Sequence, residues 1–177
     1  MKESSVGLVA FSMGWRANEL EEPSLGNLDL ARETIRIVRE ESKGGEAVLT
    51  VLQWEVANAL KHIDSELIPN LVLWGPRAGR SIDSNELMTQ AVEFFRDHGI
   101  RRVIPVAYPF LHLPYCRRLV RRAGFEVCRR RVEDIRLDPV SITPWTTSRW
   151  RILKYAIRRT ITGRRGPYPT TPIPPGM

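Results

Sequence analysis

One pattern constrains this chain more than any other: short apolar runs alternate with segments of helical periodicity along most of its length. Val6-Gly7-Leu8-Val9-Ala10-Phe11 is followed by a Glu-rich loop carrying Pro23 and Gly26, and then by Leu28, Ala31, Ile35 and Val38 at three- and four-residue spacing. The first run reads as a buried strand. The second segment reads as an amphipathic helix from Leu28 to Val38, capped by Asn27 or Asp29. The cycle repeats. Ala47 to Leu52 is a second strand, Val56 to Leu60 a short helix, and Leu71 to Trp74 a third strand closed by Gly75-Pro76. Asp83 or Ser84 starts a helix running to about Asp97, and Asp83 with Glu86 fits a capping box. Val103 to Ala107 is a fourth strand. Pro105 within it cannot donate to a ladder and predicts an edge, a bulge or an early strand end. A helix over Pro114 to Ala123, a stop at Gly124 and a fifth strand beginning at Phe125 complete the series. Strand–helix repetition with short connections predicts an α/β, Rossmann-like three-layer fold with a mostly parallel sheet of about five strands.

After Pro139 the texture changes. Thr146 or Thr147 is positioned to cap a last basic helix over Trp150 to Ile161, and residues 162 to 177 hold three glycines and five prolines. The expected organisation is an α/β domain over residues 1–161 and an extended or disordered tail over 162–177. At 177 residues the chain has room for one mature hydrophobic core.

Charge is unevenly spread. Residues 1–112 hold 12 basic and 16 acidic side chains, whereas residues 113–177 hold 15 basic and 4 acidic, a net charge of +11. Such a segment suits an anionic partner. An anionic small molecule is one candidate. An anionic membrane surface met by the basic C-terminal helix is another. The same helix can instead pack on the sheet with its arginines in water, and that reading ranks first. Nucleic acid ranks last, because basic residues alone supply neither base readout nor a stacking platform. No apolar run approaches the roughly 18 residues that cross a bilayer, and Met1 to Ser5 does not resemble a signal peptide. The expected location is cytoplasmic, with peripheral contact at the inner membrane as the variant. Cys116 and Cys128 make neither a disulfide scaffold nor a zinc site, and no metal-ligand spacing, Walker loop or dinucleotide fingerprint is present.

In parallel sheets of this kind, ligands sit beyond the carboxyl ends of strands. Four loops meet that condition: Ser12 to Arg16, Trp54-Glu55, Gly75 to Asn85 and Ala107 to Tyr115. The third brings Arg77, Arg80, Ser81, Ser84 and Asn85 to a helix start, where arginines and backbone N–H groups suit a phosphate or carboxylate. The fourth contains His112, the one histidine of three that follows a strand end; His62 and His98 do not. A neutral imidazole there can hold a phosphate oxygen or move a proton. Glu55 and Glu86 are the nearest candidate carboxylates, with Glu86 also explained as a cap. Ser12 closes the first strand, and Arg117 lies on the helix after His112. His112 and Glu86 are the candidate catalytic pair. Ser12, Arg77, Arg80, Ser81, Ser84, Asn85 and Arg117 are the candidate ligand-binding set.

The segment Arg80 to Val127 resembles the DUF218 family of YdcF-like and SanA-like proteins. Ser81, Ser84, Asn85 and Glu86 match its serine-bearing loop and helix start; Val103 to Ala107 followed by His112-Leu113-Pro114 matches its histidine–proline turn; Gly124-Phe125-Glu126-Val127 matches its glycine and next strand. Tyr115 stands where the family has an arginine, and Ser12-Met13-Gly14 replaces the usual glycine cluster. The resemblance implies a Rossmann-like fold. It also implies links to envelope integrity or cell-wall precursor metabolism in some members, and S-adenosylmethionine binding in one subgroup. The leading expectation is a protein binding a small anionic or nucleotide-like ligand, as an enzyme on a phosphorylated substrate or as an S-adenosylmethionine binder. The alternative is a non-catalytic peripheral membrane protein.

Overall fold

A computed structural model describes residues 6–45, 47–63, 66–73 and 82–162, with side chains up to residue 157. Its elements are β1 (Val6–Ala10), α1 (Leu25–Lys43), β2 (Val48–Gln53), α2 (Trp54–Lys61), β3 (Leu71–Leu73), α3 (Ser84–Asp97), β4 (Arg102–Val106), α4 (His112–Arg122), β5 (Glu126–Val127), a 3₁₀ turn (Pro144–Thr146) and α5 (Arg149–Thr162). The sheet is parallel throughout, in the order β3-β2-β1-β4-β5. The fold is therefore α/β, with a five-stranded parallel sheet flanked by helices.

Alternation along β1 builds both layers. Val6, Leu8 and Ala10 face a core that includes Leu30, Ala31 and Ile37 of α1, Val56 and Ala59 of α2, and Ile152 of α5. Val9 and Phe11 face a second core with Leu87 and Phe95 of α3 and Leu113, Cys116 and Val120 of α4. Each fully buried side chain of this size contributes about 1.5–3 kcal/mol relative to exposure. The inward position Gly7 admits α3: a Cβ there would lie 2.8 Å from Phe95 Cε1.

Several boundaries differ from the sequence reading for local reasons. Helix α1 begins at Leu25, because the Ser24 side chain accepts from the Asn27 N–H; Gly26 lies inside the first turn rather than breaking it. Asp83 caps α3, with Glu86 completing the capping box. Ser148 Oγ accepts from the Arg151 N–H at the start of α5, while Pro144–Thr146 forms the preceding 3₁₀ turn, so neither Thr146 nor Thr147 is the cap. Pro105 neither ends β4 nor places it at an edge: Val9 pairs with Pro105 and Ala10 with Val106. In a parallel strand, successive residues bond to opposite neighbours. Val106 O accepts from Phe11 N on the β1 side, and Val103 O accepts from Cys128 N on the β5 side. Pro105 therefore turns toward β5, whose pairing stops at Val103, and its missing donor costs no ladder bond.

Beyond β5 the chain returns across α1 through polar contacts. The Glu33 carboxylate accepts from Glu133 N at 3.0 Å, Asp29 pairs with Arg136 at 2.7 Å, and Arg130 pairs with Glu41. Arg16 Nε donates to Asp138 Oδ2 at 2.6 Å. Part of the charge asymmetry in the sequence is thus internal, with C-terminal arginines meeting N-terminal carboxylates. The tail was expected over residues 162–177; Thr162 ends α5, and residues 163–177 lie outside the described residues.

Candidate active site

The order β3-β2-β1-β4-β5 reverses direction between β1 and β4, and the crevice at such a switch point is where open α/β sheets take ligands. A small cleft, open to solvent, lies at this end of the sheet. All four loops singled out from the sequence contribute to it. Ser12, Gly14 and Trp15 follow β1, Gln53 and Glu55 surround the β2 end, Ile82, Asp83 and Ser84 lead into α3, and His112 opens α4. Thr143 and Trp145 reach in from the C-terminal segment.

His112 is held from three directions. Leu111 before it adopts φ 61°, the left-handed region rare for a leucine, which sets the sharp entry into α4. The imidazole stands edge-on to Phe11, with ring centroids 6.1 Å apart. Its Nε2 lies 3.1 Å from Ser84 Oγ, joining the first residues of α3 and α4 across 28 positions of sequence.

The β1 loop is fixed by Asn27. Its Oδ1 accepts from Met13 N at 2.9 Å, and its Nδ2 donates to Gly14 O at 2.9 Å and to Glu19 Oε1 at 2.7 Å. Gly14 has φ +70°, and a Cβ there would lie 2.4 Å from Thr146 Oγ1, so only glycine lets the C-terminal segment close this near. Burial pushes the Glu19 carboxyl above its ordinary value, although Asn27 and the Arg16 and Ser24 N–H groups pull the other way. Ser12 N donates to Gln53 Oε1 at 2.9 Å, and Gln53 Nε2 donates to Ile82 O at 3.0 Å, so one side chain ties the ends of β1, β2 and the approach to α3.

Of the predicted residues, the cleft brings together Ser12, Ser84 and His112, and with them the candidate carboxylate Glu55. Glu86 is turned to its helix cap, accepting from Asp83 N at 3.0 Å. Asn85 Oδ1 accepts from the Tyr115 hydroxyl at 3.1 Å, so Tyr115 links α3 to α4. Arg117 donates to Arg130 O at 3.3 Å and is not among the cleft-lining residues; burial first, and then Arg129 and Arg121, hold its guanidinium below the ordinary range. Arg77, Arg80 and Ser81 lie outside the described residues. Burial raises the Cys116 thiol well above its ordinary value, which removes it as a ready nucleophile. No group of three or more metal-ligating side chains occurs among the described residues.

Gly14, Trp15, Gln53, Ile82, Asp83, Thr143 and Trp145 also line it without having been assigned to a site. Gln53 had a signal, a polar residue ending an otherwise apolar strand. Thr143 and Trp145 had none, because only the return of the chain over α1 brings them here. Thr143 Oγ1 is buried with no hydrogen-bond partner among the described residues. Such a hydroxyl costs about 1–3 kcal/mol, which a ligand or water bonded there would recover. Asp83 accepts from Asn85 N and Glu86 N at 2.8 and 2.9 Å, so two N–H groups of the α3 start are already taken.

No protein-family model matches the chain, and no curated protein matches it. Among solved structures, the complete multifunctional pyruvate carboxylase from Rhizobium etli matches at 14% identity and a TM-score of 0.34, covering 71% of this chain and 10% of that one. A variant of the same enzyme with the allosteric activator acetyl coenzyme A matches at 15% identity and a TM-score of 0.33, covering 71% and 11%. The chain thus spans about a tenth of the length of these structures, and a likeness of this size carries no argument about function.

Proposed function

We propose that the carboxyl-end cleft binds a small anionic or nucleotide-like ligand and that His112 is its proton-transfer residue, in a divergent relative of the DUF218 family. The observation that carries this reading is the Ser84–His112 pair, 3.1 Å apart at the switch point of the sheet. A ligand oxygen entering beside Ser84 comes within reach of the imidazole. As a base, His112 takes a proton at Nε2 from Ser84 or from a ligand hydroxyl; as an acid it returns that proton to a leaving oxygen. Ser12 and Thr143 offer further hydroxyls, and Trp15 and Trp145 offer flat apolar walls for a ring. The carboxylates of Glu55 and Asp83 suit ligand hydroxyl or amino groups rather than a second anion. In this reading a protonated His112 meets the ligand's negative charge.

Calorimetric titration tests it with inorganic phosphate, a sugar phosphate, a nucleoside monophosphate and S-adenosylmethionine as separate probes. Saturable binding of at least one is expected, weakened roughly tenfold or more by His112→Ala and by Ser84→Ala, as befits loss of a hydrogen bond to a charged group. Binding unchanged in both variants, or binding of none of the four, sinks the reading.

A further inference from the structure

Helix α5 has two apolar sides, and among the described residues only one is packed internally. Ile152 is 5% exposed and joins the core beside α1, while Tyr155 stacks on Trp145 with centroids 4.9 Å apart and 14° between planes. These contacts secure the helix to the domain. On the opposite side Trp150 is 72% exposed and Ile157 is 49% exposed. With Lys154 they occupy positions i, i+4 and i+7, a single stripe of an α-helix. Arg149, Arg151 and Lys154 are all exposed around it. The helix holds no acidic residue in the stretch Arg149–Thr162, and its sequence continues with Arg158 and Arg159.

We propose that this outward face of α5 docks on an anionic lipid bilayer, lying in the plane of the interface. An indole and an isoleucine set among bases match the composition of interfacial helices: the apolar groups enter the headgroup boundary, and the bases stay with lipid phosphates. Charge argues against the other occupants. A second copy of the chain would bring two basic helices together, and nucleic acid offers nothing to the aliphatic Ile157. The proposal is independent of the cleft reading, since Trp150, Lys154 and Ile157 line no part of the cleft.

Co-sedimentation of the full chain with vesicles tests it, using an equimolar phosphatidylcholine–phosphatidylglycerol mixture against phosphatidylcholine alone. Binding to the mixed vesicles only is expected, with loss at high salt. Lys154→Gln is expected to weaken it roughly fivefold, the effect of one interfacial base. Trp150→Ser combined with Ile157→Ser is expected to weaken it at least about tenfold. Both changes are at exposed positions, and an unaltered circular dichroism spectrum and thermal midpoint confirm the fold. Absence of binding to mixed vesicles overturns the proposal. So does binding that the double variant leaves intact. Sedimentation velocity supplies a further arm: a dimer abolished by the double variant would assign the face to a second copy and overturn the lipid assignment.

Discussion

The layer formed by α3 and α4 and the returning segment from residue 129 to residue 148 both border the cleft, yet they are attached by different forces. Phe95, Leu87, Leu113 and Val120 hold the helical layer by apolar burial against Val9 and Phe11. The returning segment buries Ile135 in the core beside α1 and adds polar contacts at Glu33, Asp29, Glu41 and Arg16, whose partners are a backbone N–H or a charged side chain. Apolar burial does not titrate, whereas ion pairs do, and the exposed ones are screened by salt. The cleft therefore has one wall held by apolar burial and another whose hold depends in part on charge, and so on pH.

The largest expected effect lies in the apolar frame. Leu8→Ala removes a fully buried side chain at the centre of the sheet and is expected to cost about 2–5 kcal/mol in urea unfolding, with little dependence on salt. Asp138→Ala comes next. Its carboxylate is 1% exposed and receives Arg16 Nε together with the Leu25 and Val140 N–H groups, so about 3 kcal/mol is expected. A loss below 1 kcal/mol would show that the returning segment is not anchored there. Arg136→Ala breaks an exposed pair, with the arginine side chain 55% exposed, and is expected to cost no more than about 1 kcal/mol, less at high salt.

Acid sharpens the same contrast. For Asp138 and Asp29, burial acts to raise the carboxyl. It is outweighed by hydrogen bonds from Arg16 and the Leu25 and Val140 N–H groups, and from Arg136, so both lie below their ordinary value. Their stabilisation is present above about pH 4 and is lost as pH falls through their folded values. Glu19, raised by burial, runs the other way: its contribution grows as pH falls from neutrality through its folded value. The thermal midpoint is expected to be higher at mildly acidic pH than at neutrality, and to fall below about pH 4. A midpoint still rising below pH 3 would contradict the anchoring role of Asp29 and Asp138.

The same contrast explains what was legible in the sequence. Periodicity located every strand of the sheet and four of the five main helices to within a few residues, because apolar burial repeats at 2 or 3.6 residues. It missed the first turn of α1, since Ser24 caps by one side-chain bond that leaves no periodic trace. It placed Ser12, Ser84 and His112 near strand ends, but not Thr143 or Trp145, whose approach depends on ion pairs spanning a hundred or so residues, such as Asp29 with Arg136. Glu86 was readable both as cap and as acid/base partner, and its bond to Asp83 N supports the cap.

Nuclear magnetic resonance of the imidazole groups tests the cleft most directly, because the chain carries three histidines. His62 Nε2 lies 2.9 Å from Leu20 O and His98 Nδ1 lies 2.8 Å from Phe94 O, both away from the cleft-lining set. As a nucleoside monophosphate or sugar phosphate is added, the His112 resonances should move along a saturable curve. Those of His62 and His98 should stay fixed, and Ser84→Ala should weaken the response. Equal movement of all three histidines, or a stationary His112 at saturating ligand, would contradict a binding site at the Ser84–His112 pair.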